Sequence, residues 1–181
     1  MKTIIDDKFL SKKNLHFIEN GILNSNFPYY WNENQCYNED GSPDDTGFLC
    51  HTVVKRPELR SKEEPFFNSS LGKHFVDILD CFCKKNKIKY KEILRIAVNF
   101  TFSVGTTKSL IHNDHDFFHK QLLVYLTNNK NASTFLLAKD KKKVIKKVNP
   151  KKYRGFMFED CPHYMKMPEK GKRIVIVFTF V

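Results

Sequence analysis

The rhythm of apolar and polar positions changes along this chain near Glu92. From Leu71 to about Lys87, the residues Leu71, Phe75, Ile78, Leu79 and Phe82 recur with a 3.6-residue period, which predicts a helix with one apolar face. Residues 11–20, SKKNLHFIEN, carry Leu15, Phe17 and Ile18 ahead of Gly21 and predict a short helix stopped by that glycine. Residues 24–47 are rich in Asn, Asp, Pro and Gly, with Tyr29, Tyr30 and Trp31 near one end, and read as a long surface loop. After Glu92 the runs shorten to strand length: Ile93 to Phe102, Lys120 to Thr127, Thr134 to Ala138, Lys143 to Val148, Gly155 to Glu159 and Arg173 to Val181. Turn-forming Asn, Gly and Pro clusters separate them, with no helical period between, so an antiparallel sandwich or jelly roll is expected. The chain is read as one domain, mainly β, in which residues 1–92 supply helices and loops that support a β core over residues 93–181.

Composition narrows the class. Of 181 residues, 41% are hydrophobic and 28% charged, which is too apolar for disorder and too charged for a membrane protein. The longest apolar run, Ile174 to Val181, is too short to span a bilayer. The opening MKTIIDDKFLSKKN has early acidic residues and no apolar core of a signal peptide, so a soluble cytoplasmic protein is expected. Cys36, Cys50, Cys81, Cys83 and Cys161 are odd in number and lack CxxC spacing, which suggests free thiols in a reducing compartment. The net charge of +11 invites a nucleic-acid partner, but eight Lys and one Asp between Lys139 and Lys152 supply +7 of it. With 26 Lys to 5 Arg, the chain lacks the arginines that read phosphates and base edges, and that run reads as a solvated face.

The chemistry concentrates in Ile111-His112-Asn113-Asp114-His115-Asp116-Phe117-Phe118-His119, and two metal readings compete there. In extended backbone, His112 and Asp114 project to the same side, and His163, 51 residues after His112, is the candidate third ligand. Two His and one carboxylate on one face of an octahedral ion leave three positions open, as in non-haem Fe(II) oxygenases. Ten residues beyond His163, Arg173 opens an apolar strand, where a buried guanidinium needs an anion. The competing reading puts His115 and His119, four apart, on one face of a helix as ligands of a zinc hydrolase, with Asp116 where such sites carry Glu.

His-x-Asp, some fifty residues to a His, and ten more to an Arg resembles the Fe(II)- and 2-oxoglutarate-dependent dioxygenases, in particular their prolyl-hydroxylase-like branch. The resemblance covers about Ile93 to Val181, and Lys151-Lys152-Tyr153-Arg154-Gly155-Phe156-Met157-Phe158 resembles that family's approach to its distal His. It implies a double-stranded β-helix, a cupin-like jelly-roll barrel flanked by helices. It implies that His112, Asp114 and His163 ligate Fe(II), and that Arg173 grips the distal carboxylate of 2-oxoglutarate with Tyr125 beside it. It further implies O2 as co-substrate and oxidation, by hydroxylation, of an unidentified small-molecule or peptide substrate. Asn131-Ala132-Ser133-Thr134 stands where the family often has Gly-Gly-Glu-Thr, and Lys172 adjoins Arg173, so strand phase must choose between the two cations. Thr179 stands where nucleic-acid demethylases of the superfamily carry a second Arg, which argues against base repair. A halogenase is disfavoured by Asp114.

The plainer readings stay beside these. His16, His51 and His74 read as satisfied structural residues, Phe117 and Phe118 as core, and Tyr125 equally as a packed strand aromatic. The loop with Tyr29, Tyr30 and Trp31 is either a lid over the site or an anchor on the barrel's outside. A non-catalytic basic β-sandwich binding nucleic acid through the Lys run is the third class of function.

Overall fold

In the computed structural model, residues 1–38, 40–44, 46–60 and 67–181 are described. Among these described residues, ten strands form two antiparallel sheets that face each other as a jelly roll. The larger sheet has the order β1-β8-β5-β10-β4-β3-β2, from β1 (Thr3–Asp6), β8 (Gly155–Glu159), β5 (Lys120–Tyr125), β10 (Lys172–Phe180), β4 (Ile93–Phe102), β3 (Phe48–Val54) and β2 (Tyr30–Asn32). The smaller sheet has β6 (Thr134–Leu137) between β7 (Val144–Val148) and β9 (His163–Met165).

Alternation along β10 explains the layering. Ile174, Ile176, Phe178 and Phe180 face one way, into a core closed by α2 (Gly72–Lys85) through Phe75, Ile78, Leu79 and Phe82. Val175 and Val177 face the other way, towards Leu136 and Val148 of the smaller sheet and Leu123, Tyr125, Phe156 and Phe158 of the larger. Both faces of the strand are buried, which is why it reads as an unbroken apolar run. Each fully buried Phe, Ile or Leu on α2 contributes about 1.5–3 kcal/mol of apolar transfer, so the helix is held by its stripe rather than by propensity.

The six expected second-half strands lie where the pattern places them, within two residues at each end, while β9 (His163–Met165) is a seventh that the pattern does not mark. Three strands from the first half, β1, β2 and β3, are additions to it. Residues 1–92 therefore build both edge strands of the larger sheet, β1 and β2, and β3 next to β2, besides supporting it. The short helix α1 (Lys12–Phe17) starts at a capping box, with Ser11 Oγ accepting from the Asn14 backbone N–H at 3.1 Å and Asn14 Oδ1 accepting from the Ser11 N–H at 3.1 Å. Gly21 does not stop it. The chain continues into a π turn over Ile18–Ile22, and a Cβ on Gly21 would stand 3.0 Å from the Phe17 ring, so the glycine serves close approach. The 24–47 stretch is loop except for β2, which pairs with β3 at the sheet edge; positions 39 and 45 lie outside the described residues.

One ion pair pins the first strand to the approach of β8. Arg154 grips Asp7 with two bonds, Nε to Oδ1 at 2.7 Å and Nη2 to Oδ2 at 3.0 Å. Against a smaller opposing effect of burial, Arg154 and then Lys151 hold the Asp7 carboxyl down at about 2. Because the folded value is depressed, this stabilisation is present above the unfolded carboxylate range near pH 4 and is lost as pH falls through about 2. Asp7→Asn should cost about 1–2 kcal/mol at pH 7 after screening, and the difference from wild type should shrink towards pH 2 in urea melts. A pH-independent difference would refute the assignment.

Candidate metal centre and active site

Residues 110–119 form no helix. Their one regular feature is a backbone pair in which the His112 N–H donates to the His163 carbonyl at 3.0 Å and the His163 N–H returns the bond at 3.0 Å. Paired residues project side by side, and the two imidazole centroids lie 4.5 Å apart. Each Nδ1–H donates to a backbone carbonyl, His112 to Leu110 at 3.0 Å and His163 to Cys161 at 3.1 Å. A carbonyl can only accept, so each Nε2 keeps a free lone pair, the tautomer that a metal ligand requires.

Asp114 sits between these rings and two arginines. Its Oδ1 accepts from Arg56 Nη2 and from Arg95 Nη1, both at 3.0 Å. Its Oδ2 is buried, has no hydrogen-bond partner, and lies 3.4 Å from His163 Nε2. Two lone pairs thus face each other between the buried Asp114 and His163 side chains, an arrangement that calls for a cation between them. Burial would raise the Asp114 carboxyl, but the charged Arg95 and Arg56 beside it hold it well below the usual carboxylate range. Burial pushes His112 down to about 4. One donor atom from each of His112, Asp114 and His163 lies within 4.8 Å of the others, the one such group among the described residues. A carboxylate and two neutral imidazoles with free lone pairs fit a divalent transition metal, with a face left open to the cavity.

That cavity, about 80 Å³, runs between the sheets to Arg173. Arg173 is in phase with Val175 and Val177 on the inner face of β10, whereas Lys172 is exposed with Nζ 5.5 Å from the Phe100 ring centroid, so phase selects the arginine. The Arg173 side chain is buried, Nε has no partner, and no carboxylate lies against it among the described residues. Its Nη2 donates to Thr134 Oγ1 at 3.3 Å, and its guanidinium carbon is 5.5 Å from the Tyr125 ring centroid. Tyr125 is itself buried, with its hydroxyl 2.8 Å from Thr134 Oγ1, and burial keeps that hydroxyl protonated by pushing its pKa up. An unpaired buried guanidinium is costly, and a carboxylate reaching this end of the cavity would relieve it.

Other expectations change. His115 and His119 do not share a helix face: His115 Nδ1–H donates to Glu58 Oε1 at 3.0 Å while its Nε2 accepts from the Thr179 hydroxyl at 2.8 Å. His119 Nδ1–H donates to the Phe117 carbonyl at 2.9 Å. With both His115 nitrogens committed, the zinc-hydrolase arrangement is not formed. Phe117 and Phe118 are not core; they are 41% and 59% exposed. Tyr30 and Trp31 are exposed on edge strand β2, while His51 behaves as expected, its ring held by Pro28 O and Ser69 Oγ. Within the Lys run, Lys151 and Lys152 pair with Asp7 and Glu19, which offsets part of the supposed phosphate-binding charge, and Lys146 donates to the Thr3 hydroxyl.

Arg56, Arg95, Gln121 and Thr134 also line the cavity, and the motif spacing does not point to them. A usable signal was the rarity of arginine: of five, Arg56, Arg95 and Arg173 meet in this one cavity.

The architecture is the double-stranded β-helix of the 2-oxoglutarate/Fe(II) oxygenases, with a His-Asp-His group inside it. Among solved structures it is similar to a 2OG-Fe(II) oxygenase family oxidoreductase from Burkholderia pseudomallei, with TM-score 0.72 and 12% identity over 98% of this chain and 84% of that one. A prolyl hydroxylase from Trichoplax adhaerens, in complex with a hypoxia inducible factor peptide fragment, gives TM-score 0.59 and 15% identity over 98% and 82%. The viral collagen prolyl hydroxylase of Paramecium bursaria Chlorella virus-1 gives 0.55 and 16% over 99% and 96%. At these identities the likeness is one of fold. No family model matches the sequence, and no curated protein matches it.

Proposed function

We propose that this protein is an Fe(II)- and 2-oxoglutarate-dependent oxygenase acting as a hydroxylase on a small-molecule or peptide substrate. The observation that carries the reading is the pair of opposed lone pairs, Asp114 Oδ2 and His163 Nε2 at 3.4 Å, with His112 beside them and an unpaired buried Arg173 in the same cavity. His112, Asp114 and His163 would hold Fe(II); Arg173, with Tyr125 and Thr134, would hold the distal carboxylate of 2-oxoglutarate. Loaded in this way, the iron supplies the oxidising chemistry: 2-oxoglutarate and O2 give succinate and CO2, and the second oxygen atom enters a substrate C–H bond.

The chain's own residues prepare the site for that chemistry. The Leu110 and Cys161 carbonyls hold both imidazoles in the ligating tautomer. Arg56 and Arg95 occupy one Asp114 oxygen, which leaves the carboxylate a single free donor and the metal an open face. Val175, Val177 and Leu123 line the cavity wall and keep water from the reacting centre. The prolyl hydroxylase neighbour with its peptide fragment supports a peptide as one substrate class. Among the described residues no helix is long and apolar enough to cross a membrane. A cytoplasmic location is supported by the five free cysteines.

The test is anaerobic titration of Fe(II) into the purified protein with 2-oxoglutarate. A weak visible charge-transfer band is expected, followed on admission of air by succinate formation that depends on 2-oxoglutarate. Stoichiometric zinc binding through His115 and His119 without that band would overturn the reading.

A further inference from the structure

The metal centre accounts for one oxygen of Asp114 and for Arg173, but it leaves positive charge over. Three guanidinium groups, Arg56, Arg95 and Arg173, line the cavity against one carboxylate, Asp114, an excess of two charges. On the reading above, a divalent ion adds two and 2-oxoglutarate removes two, so the same excess persists in the loaded site. Arg173 is answered by the distal carboxylate. Glu58 is a further negative neighbour of Arg56 alone, and Arg56 and Arg95 share Asp114 Oδ1 as their hydrogen-bond acceptor. Each gives it one N–H, and among the described residues no other acceptor takes the remaining ones. One guanidinium is enough to hold that oxygen, and a second, with side chains only 28% and 14% exposed for Arg56 and Arg95, is expensive without its own anion.

A second observation stands beside this pair. Gln121 is 3% exposed, lines the same cavity, and its carbonyl Oε1 is buried without a donor. On the inner face of the larger sheet, Thr179 of β10 is the register partner of Arg95 on β4 and of Gln121 on β5, so the three stand abreast. A buried amide carbonyl left unmatched asks for an N–H or O–H from a ligand.

We propose that Arg56, Arg95 and Gln121 form the substrate subsite, taking a small organic acid whose carboxylate lies on the two guanidiniums and whose amino or hydroxyl group donates to Gln121. Two planar forks suit a carboxylate geometrically, and about 80 Å³ of cavity suits the end of a small molecule. The assignment of this acid as substrate rests on the oxygenase reading; the subsite itself does not.

The full-length protein is loaded with Mn(II) and saturating 2-oxoglutarate, then exposed to a pool of four- to six-carbon amino and hydroxy acids mixed with their primary amides. Mn(II) broadens the proton signals of molecules held near it. The acids should be broadened with at least about tenfold preference over their amides. Arg56→Met should abolish the preference and Arg56→Lys should restore part of it, with Mn(II) binding followed by electron paramagnetic resonance in the same samples. Gln121→Leu should weaken the acids without touching an arginine. Equal broadening of acids and amides, no broadening of any member, or a preference that survives both Arg56→Met and Gln121→Leu overturns the proposal. If 2-oxoglutarate itself fails to bind the Mn(II) protein, the oxygenase reading falls separately. The acid-over-amide preference, read by saturation transfer on the metal-free chain, then decides the subsite alone.

Discussion

Asp114→Ala should lose metal binding and folded stability together, whereas His112→Ala should lose metal binding alone. Among the described residues Asp114 is the one carboxylate hydrogen-bonded to Arg56 and Arg95, so removing it leaves two largely buried guanidiniums without their paired counter-charge. Breaking a buried pair from one side costs about 3 kcal/mol, which for a chain of this size is a fall in Tm of about 6–12 °C. His112 is a neutral ring whose burial already disfavours its charged form. Truncating it removes a ligand and some packing but strands no charge. Both variants should bind Fe(II) at least about 100-fold more weakly and lose the band formed with 2-oxoglutarate. A His112→Ala protein that keeps the band would remove His112 from the ligand set. An Asp114→Ala protein as stable as wild type would mean the arginines are solvated in the folded chain.

The second large effect runs in opposite directions on stability and function. Arg173→Leu should stabilise the ligand-free chain by about 1–3 kcal/mol, because it removes a buried cation whose Nε has no partner and puts apolar volume among Val175 and Leu123. The same change should weaken 2-oxoglutarate binding at least about 100-fold, since Arg173 is the cavity-lining guanidinium beside Thr134 and Tyr125. Arg173→Lys should recover little, as a point charge does not reproduce the planar fork. Urea melts with and without 2-oxoglutarate read both quantities. Wild type should gain stability from the ligand and the Leu variant should not. A destabilised Arg173→Leu chain would mean that the guanidinium holds the fold rather than a ligand.

His112 and Asp114 were legible because their chemistry is local and needs only extended backbone. His163 and Arg173 were legible through the spacing of the motif that the chain resembles, and strand phase then separates Arg173 from Lys172. The strands of the second half were legible for a related reason, being apolar runs bounded by clear turns. β1 was hidden because TIID is four residues among charged neighbours, and β9 because it is three residues long. β3, FLCHTVV, was hidden because both its faces are buried, which erases the alternation, and because it follows a loop of Asn, Asp and Pro. Arg56, Arg95 and Gln121 escaped for another reason. They meet only through sheet register and the closure of β3 onto β4, and no spacing along the chain encodes that. The rarity of arginine marked where to look but not which residues would face inward.

The backbone pair between His112 and His163 has a consequence for how this sequence can drift. The two rings ride on backbone segments, one of them β9, locked to each other by reciprocal 3.0 Å bonds, so their spacing is set by main chain and survives most side-chain replacement. A deletion or insertion of one residue beside either histidine would turn one ring to the opposite face. Length changes in the turns between them, such as Asn128 to Asn131 or Asp140 to Lys143, leave the pair untouched. Descendants of this chain should therefore differ in loop length around the site long before they differ in the few residues on either side of each histidine.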